Sequence, residues 1–437
     1  MGDGPGDLDA GAAELFVGVH LLVASRHQGR PDRHQRSSEQ HIHHAADFTR
    51  RTKPELLHPP DRAPVWASLG NMSGKSAKLK RRQDKSAAEA DWAALDLRML
   101  QDDINWIASM GEASQSNPQW KGIIGLVLTP HMARIVHEGM VLLWRRRPTQ
   151  VQAVALKFAP QIEAARHTVK LLDDTKKLYE GVIQDFERID GEHSNAWSPG
   201  RNFGMGIRDG RVFSTSRSSE FQQSGRLAER RIVPHDYSKR FGYDIGRAAA
   251  LILRQFGHAP QFTPLPVKQW GEAPSEITLD RAGYYETRFE PEFPTALKDV
   301  LCVIEGSVNS CLHAFKPVEG PFTNPVFRVQ FVTVSHALNA LDEVRNRYPQ
   351  LAETPGMVRI SSVIDSSEAV NLRSLRKLRN RCMHYLIPPT LSGLGEHLPL
   401  YGLVESTCPG QSFEIVDAEV QLVLAALSDA LRSWKQK

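Results

Sequence analysis

The stretch Leu372-Arg-Ser-Leu-Arg-Lys-Leu-Arg-Asn-Arg-Cys-Met-His384 is the most informative part of this sequence for its fold. It lies between a capping-type sequence, Asp365-Ser-Ser-Glu368, and the helix-ending pair Pro388-Pro389. Side chains of this kind begin a helix, and proline cannot continue one. The stretch therefore predicts a helix over about Ser367–Leu386.

Three further helices are predicted around this one by apolar residues that recur every three or four positions. They run near Thr295–Phe315, Val326–Tyr348 and Val416–Trp434. Four helices with one-sided apolar faces are typical of an antiparallel bundle. The predicted fold class is mainly α, with a C-terminal four-helix domain over residues 290–437 and a separate helical domain before it.

The third predicted helix carries an unusual run of positive charge. Five cations fall within nine residues, with no acid among them: Arg373, Arg376, Lys377, Arg379 and Arg381. Like charges on one helix repel each other, and a nucleic-acid phosphate would relieve that repulsion. The run therefore favours RNA binding, unless carboxylates on neighbouring helices pair with these side chains instead.

Within this run, Arg379-Asn-Arg-Cys-Met-His384 resembles the RNxxxH motif of the HEPN ribonucleases. The resemblance covers roughly residues 290–437. It implies a four-helix fold and a catalytic role for Arg379, Asn380 and His384. It also implies a homodimer through the C-terminal bundle, in which two motifs meet to form one site.

These residue types also suit RNA cleavage on chemical grounds. A histidine can exchange protons near neutral pH, and an arginine can stabilise the added negative charge of the transition state. In a continuous helix, Asn380 and His384 would share a face. The predicted reaction is attack of the ribose 2′-OH on its own phosphate, without a metal, leaving a 2′,3′-cyclic phosphate.

One family feature is missing here. Some toxin members carry a tyrosine two places after the histidine, where an antitoxin adenylylates it. In this chain Tyr385 follows His384 directly, and Leu386 stands at the family's position. That scheme of regulation is therefore not expected, although another antitoxin or regulatory protein is compatible with the sequence.

Residues 87–258 predict helices of unknown role. Gly122–Arg147 is predicted to break at Pro130, and Val151–Ile189 to kink or split at Pro160. Residues 191–240 are rich in Gly, Ser and Arg, which favours a mobile basic loop, although Asp209-Gly210 is a hairpin signal. The proline-rich residues 259–274 predict a linker.

Residues 1–71 show no helical or strand periodicity, and they hold His20, His27, His34, His41, His43, His44 and His58. Such composition predicts disorder. Met72 opens a start-like basic sequence, which suggests that translation begins at or near it. The following Gly74-Lys75-Ser76 is a poor match to a phosphate-binding loop, because the glycine spacing is short and no strand precedes it.

The remaining composition excludes several classes of protein. The net charge is +4, and four scattered cysteines (Cys302, Cys311, Cys382 and Cys408) have no zinc spacing. They favour a reduced, cytoplasmic protein, with one disulfide in an exported protein as the alternative. The longest apolar region contains charged residues, which argues against a membrane helix. No metal or other cofactor is predicted.

The leading hypothesis is thus a metal-independent endoribonuclease of the toxin or defence type. A non-catalytic RNA-binding or scaffold protein with the same basic helix is the first alternative. The second is a helical protein–protein module, in which Arg379 pairs with buried acids and His384 packs in the core.

Overall fold

In the computed structural model, the described part of the chain is mainly helical, with one small sheet. Four sequence predictions concern residues outside the described ones: those for residues 1–71, the basic sequence after Met72, the Gly74-Lys75-Ser76 sequence and the Pro160 region. The described residues are 88–154, 183–196, 202–223, 234–265, 270–315, 322–388, 390–432 and 434–435, with single positions 162, 165, 166 and 169.

Three long helices form most of the N-terminal half: α1 (Ala88–Gln115), α2 (Pro118–Arg146) and, later in the chain, α5 (Pro234–Gln255). A 3-10 helix, Pro148–Ala153, follows α2. The predicted break at Pro130 is wrong, because α2 runs through this residue without interruption. Proline removes one backbone hydrogen bond, but packing on almost every side of α2 keeps the helix continuous. Of the helices in the described residues, none is long and apolar enough to cross a membrane.

A short helix and a hairpin come between α2 and α5. Helix α3 (Ile183–Ala196) is followed by β1 (Asn202–Arg208), β2 (Arg211–Thr215) and α4 (Ser216–Gln223). The turn residues Asp209 and Gly210 both have positive φ, 52° and 72°, as the Asp-Gly signal predicts for a tight hairpin. The expectation of a mobile loop is therefore wrong for residues 202–223, while the hairpin is confirmed.

The sheet has three antiparallel strands in the order β2-β1-β3, where β3 is Ser275–Asp280. The free edge of β2 is covered by the first helix of the C-terminal half, α7 (Thr295–His313). Asn309 of that helix donates a hydrogen bond to the Val212 carbonyl at 2.7 Å, and the Val212 N–H donates to Glu305 at 2.9 Å. Gly306 permits this approach, because an added Cβ would lie 2.7 Å from the Phe213 carbonyl oxygen.

The C-terminal half contains the other predicted helices, with one correction. Helices α7, α8 (Thr323–Arg347) and α13 (Phe413–Arg432) confirm the first, second and fourth, with small shifts of their ends. They pack against one another. A short helix, α6 (Arg281–Arg288), precedes them, and the 3-10 helix Pro349–Leu351 follows α8.

The predicted third helix is wrong as a single element. Its start is confirmed, but over the predicted residues 367–386 the chain forms two helices, α10 (Ser367–Ser374) and α11 (Arg376–Met383), and a separate helix that was not predicted, α9 (Pro355–Ile364), precedes them. The Ser366 side chain accepts a hydrogen bond from the Ala369 N–H and so caps a new helix at this point. Leu375, with ψ of 36°, interrupts the helical backbone again before α11. The basic residues are therefore divided between two short helices.

After α11 the chain passes through a left-handed turn into the last helices. Leu400, Tyr401 and Gly402 have φ of 43°, 61° and 75°, within the 3-10 segment Pro399–Gly402. Non-glycine residues rarely adopt this conformation and need support from their surroundings. The Leu400 N–H donates to Asn324 at 2.7 Å, and the turn leads into α12 (Leu403–Thr407).

The N-terminal helices and the C-terminal helices share a single compact unit. Helix α1 packs against α8, and α2 packs against α7. Part of the predicted linker is held against α1 and α2: the Thr263 N–H donates to Ser109 at 2.9 Å, and the Trp120 indole donates to the Gly271 carbonyl at 3.2 Å. These contacts cross the predicted boundary between the two helical regions.

Candidate functional site

His384 lies at the end of α11, where the chain leaves the helix. Its backbone is extended, with φ of −121° and ψ of 153°, and its N–H still bonds to the Asn380 carbonyl at 3.2 Å. The expected shared helical face of Asn380 and His384 is therefore not formed. The turn away from the helix axis directs the chain toward the N-terminal helix α2 instead.

The partner of His384 is a buried carboxylate on α2. The Nδ1 atom of His384 lies 2.7 Å from Oε2 of Glu138. The Glu138 side chain is only 4% exposed, whereas that of His384 is 41% exposed. One ring nitrogen thus faces a buried acid, while the imidazole remains open to solvent.

The second oxygen of Glu138 is also occupied. Oε1 accepts a hydrogen bond from Nη2 of Arg166 at 3.0 Å and lies 3.1 Å from Nδ1 of His137. Burial acts to raise the pKa of Glu138, but hydrogen bonds with His137 and His384 outweigh it and hold that pKa well below its ordinary value. Glu138 is therefore an anion in contact with one guanidinium group and two imidazole rings.

This arrangement favours one tautomer of the histidine. A carboxylate accepts hydrogen bonds, so Nδ1 of His384 is the donor in the contact with Glu138. In the neutral ring Nε2 then carries the lone pair and can accept a proton. An acid that orients a histidine in this way is a recurring arrangement for general-base chemistry.

Two buried arginines hold the end of α11 in place. The Cys382 carbonyl accepts hydrogen bonds from Arg328, at 2.9 Å to Nη2 and 3.2 Å to Nε. Arg134 reaches the carbonyls of Cys382 and Met383 at 3.4 and 3.3 Å. Carbonyls at a helix C-terminus lack partners within the helix and carry partial negative charge, so two guanidinium groups satisfy them well.

One carboxylate, Asp103, joins these arginines to the residue after the histidine. Asp103 lies 3.2 Å from Arg134 and 2.9 Å from Arg328, and it accepts a hydrogen bond from the Tyr385 hydroxyl at 2.7 Å. The Arg328 guanidinium also stacks 4.8 Å above the centre of the Tyr385 ring. All four side chains are buried. Their contacts with the end of α11 and with Tyr385 therefore fix the position of His384.

Two neighbouring acids of α1 extend this support. Asp102 accepts a hydrogen bond from the Tyr401 hydroxyl at 2.6 Å, which ties the left-handed turn to the same helix. Asp96 accepts a hydrogen bond from the Ile387 N–H at 2.8 Å and another from Arg146 at 2.5 Å. The extended segment after His384 is therefore held by α1 along its length.

The other two motif residues lie on the surface of α11. Arg379 is half-buried and Asn380 is exposed, and Nη2 of Arg379 donates to Oδ1 of Asn380 at 3.1 Å. The structure thus joins Arg379 to Asn380, and it joins His384 to Glu138. His384 does not pack in the core as the protein–protein alternative requires.

The basic residues differ from one another in their surroundings. Arg373 forms an ion pair with Asp342 of α8, an acid that the sequence pattern did not reveal. Arg376 and Lys377 are exposed, and Arg381 is half-buried. Within the described part of the chain, these last three form no ion pair with a carboxylate. A neighbouring helix therefore relieves the repulsion at Arg373.

Sequence reasoning missed the acid that contacts the histidine. His131, Arg134, His137 and Glu138 interrupt an otherwise apolar helix, and this was the available signal. Charged residues in a buried helix need partners, so each such residue marks a contact with another part of the chain. What the sequence could not reveal is that the partner of Glu138 would be His384.

Tyr385 and the cysteines are inaccessible. Tyr385 is 1% exposed, and its hydroxyl donates a hydrogen bond to Asp103. The four cysteines are buried free thiols.

Among the described residues, no group of three or more His, Cys, Asp or Glu side chains is placed to hold a metal ion. No protein-family model matches the chain, and no curated protein or solved structure matches it either.

Proposed function

We propose that this chain is a metal-independent endoribonuclease whose proton-transferring group is His384. The observation that carries the proposal is the contact between the half-exposed His384 ring and buried Glu138, at 2.7 Å. A histidine oriented by a buried acid, beside a helix with exposed cations, combines a proton acceptor with a surface that attracts phosphate. The RNxxxH resemblance to HEPN ribonucleases points to the same chemistry.

In the proposed reaction, Nε2 of His384 takes the proton from a ribose 2′-OH. The 2′ oxygen then forms a bond to the adjacent phosphorus, and the bond from phosphorus to the 5′ oxygen breaks. The leaving 5′ oxygen receives a proton from a second histidinium, and the products are a 2′,3′-cyclic phosphate and a 5′-OH. Arg379, held by Asn380, would stabilise the charge that develops on the phosphate oxygens.

The second histidine in this scheme is His384 of another copy of the chain. An exposed apolar face on α13 supports association: Ile415 and Leu422, seven residues apart, are 51% and 60% exposed. Val370, on the neighbouring helix α10, is 54% exposed. In the proposed homodimer these side chains are covered. The Leu422→Glu variant should be monomeric by light scattering and should lose cleavage, while dimeric Leu422→Glu would remove this face from the proposal.

The test of the nuclease activity compares the wild type with His384→Ala on mixed cellular RNA in EDTA. Cleavage by the wild type alone, with cyclic-phosphate ends, is the expected result. A variant with unchanged thermal unfolding shows that the fold is intact. Equal cleavage by both proteins would exclude His384 as the proton-transferring group, and cleavage by neither would favour the second candidate.

The second candidate is a non-catalytic RNA-binding or scaffold protein. The exposed Arg376 and Lys377, which have no carboxylate partner in the described residues, support RNA binding without any need for His384. This candidate predicts RNA binding that survives His384→Ala. Both candidates place the chain in the cytoplasm. A toxin or defence role, with an antitoxin or regulatory protein as partner, is part of the first proposal.

A further inference from the structure

A second group of exposed cations lies at the C-terminal end of α2, outside the RNxxxH motif. Arg145, Arg146 and Arg147 follow one another there, and all three are exposed. Arg146 donates a hydrogen bond to the buried acid Asp96 at 2.5 Å. Among the described residues Arg145 forms no ion pair, and Arg147 donates to the uncharged Gln255 carbonyl at 2.6 Å. The end of α2 therefore carries an excess of positive charge.

The chain that follows His384 leads toward these arginines. His384 contacts Glu138 of α2 at 2.7 Å. Three residues later, the Ile387 N–H donates to one oxygen of Asp96 at 2.8 Å, and the other oxygen of Asp96 accepts the hydrogen bond from Arg146. Arg146 is eight residues beyond Glu138, about 12 Å along the helix. The segment after the histidine thus runs toward the C-terminal end of α2.

Arg145 lies on the face of α2 that bears Glu138. Seven residues separate the two, which is nearly two full turns, so their side chains leave the helix only about 20° apart. The charge of Arg145 also acts on Asp96: burial raises the pKa of Asp96 to about 6, while the charges of Arg146 and Arg145 act to lower it. The exposed Arg145 is therefore on the side of α2 that contacts His384, about 10 Å from Glu138 along the helix.

The exposed cations of α11 precede His384 in the chain. Lys377 and Arg376 are seven and eight residues before the histidine, about 10–12 Å along the helix. Cations without a carboxylate partner in the described residues are thus found before the histidine on α11 and beside the segment that follows it. A nucleic-acid strand carries a phosphate at every nucleotide, and cations spaced along a path match that repeating charge. A small anion would need only one of the two groups.

We propose that the C-terminal end of α2 is a second phosphate-binding surface for RNA, where Arg145 contacts the same strand that Arg376 and Lys377 bind. The inference rests on the RNA binding that both candidates for the function share. It gives the N-terminal helical region, through α2, a part in holding the RNA. An acidic protein would also be attracted by these arginines, but it would make no use of the half-exposed His384 ring between the two cation groups.

The experiment measures binding of a fluorescent eight-nucleotide 2′-O-methyl RNA to the full chain by anisotropy. The methyl group blocks the attacking oxygen, so binding is measured without cleavage. Eight nucleotides span about 27 Å even when stacked at 3.4 Å each. Arg145→Ala should weaken binding about two- to tenfold and reduce the slope of log K against log salt by about 0.7–1. Arg145→Lys, which keeps the charge, should bind nearly as tightly as the wild type.

The matched control is Arg347→Ala, which should bind this RNA as the wild type does. Arg347 is exposed and also lies in the last turn of a helix, α8, but it is 19 residues beyond Arg328, about 28 Å along that helix. Arg328 holds the end of α11, so the control removes an equivalent charge far from His384.

Three outcomes would overturn the inference. Wild-type affinity of Arg145→Ala, or an equal loss in Arg347→Ala, would remove α2 from the RNA-binding surface and leave the proposed function untouched. No RNA binding by the wild type would overturn this inference together with the proposed function. Tighter binding of a polyglutamate of equal charge than of the RNA, weakened by Arg145→Ala, would assign the surface to an acidic protein instead.

Discussion

The hydroxyl of Tyr385 donates a hydrogen bond to Oδ2 of Asp103 at 2.7 Å, although 282 residues separate them in the chain. The same carboxylate lies within 3.2 Å of Arg134 and Arg328. Because Tyr385 is the residue next to His384, this contact places the candidate histidine relative to Glu138. It joins the first described helix to the end of α11.

Tyr385→Phe should lower the free energy of unfolding by about 1–3 kcal/mol, because a buried acceptor loses its donor. Urea unfolding measures the change. The matched control is Tyr243→Phe on α5, where the residue is 37% exposed and little change is expected. Equal effects of the two substitutions on the free energy of unfolding would show that the hydrogen bond to Asp103 does not stabilise the fold.

Glu138→Gln should reduce RNA cleavage on the order of 100-fold, because an amide neither fixes the tautomer of His384 nor stabilises its protonated form. Single-turnover cleavage rates at saturating enzyme measure the loss. Glu112→Gln, an exposed glutamate of α1, is the control and should cleave as the wild type does. A fully active Glu138→Gln enzyme would remove Glu138 from the proposed site.

Protonation of Glu138 at acid pH should lower the free energy of unfolding. Its pKa in the folded state lies below the ordinary value of 4.5, so the ionised form stabilises the folded protein. That contribution is fully present above pH 4.5 and is lost as the pH falls through the lower folded-state pKa. The stability difference between the wild type and Glu138→Gln should therefore shrink toward acid pH in urea unfolding. A difference that stays constant from pH 7 to pH 3 would contradict this.

Asp96 should have the opposite effect: its ionisation should lower the free energy of unfolding as the pH rises. Burial raises its pKa from 3.8 to about 6, even though Arg146 and the Ile387 N–H stabilise its charge. Its contribution to stability is greatest below pH 3.8 and falls by up to about 3 kcal/mol as the pH rises through 6. Asp96→Asn should lack this loss, so that its stability relative to the wild type increases between pH 4 and pH 6. Parallel pH profiles for the two proteins would exclude the effect.

RNA binding should depend unequally on the cations. Arg376→Ala or Lys377→Ala should each weaken binding and reduce the slope of log K against log salt by about one. Arg373→Ala should do less, because Asp342 already pairs with this guanidinium. Fluorescence anisotropy with a labelled single-stranded RNA measures all three. Equal losses would indicate that Arg373 leaves Asp342 when RNA binds.

Local signals in the sequence predicted local structure well. Asp209-Gly210 specifies its own turn, because both residues tolerate positive φ. The apolar periodicity of α7, α8 and α13 identified these helices, since each presents one face to a core. The interruption at Leu375 could not be read in this way, because that leucine fits a helical pattern and is nevertheless not helical in the structure.

The candidate site depends on contacts that no local pattern contains. His384 was recognised from a short motif, but Glu138 lies 246 residues earlier on a helix that looks simply buried. Similarly, Arg373 pairs with Asp342, which lies on a different helix. Tertiary packing decides which acid meets which base, and a single sequence gives no measure of it.

The position of Glu138, Arg134 and Asp103 on α1 and α2 has a consequence for how the C-terminal region is produced. A fragment restricted to residues 290–437 would keep the RNxxxH motif but would lack Asp103, which contacts Arg328 and Tyr385, Arg134, which contacts the Cys382 carbonyl, and Glu138, which contacts His384. The surroundings of His384 in such a fragment would differ from those in the full chain. Truncation is usually a way to isolate an activity, but here it would remove the contacts that hold the motif in place.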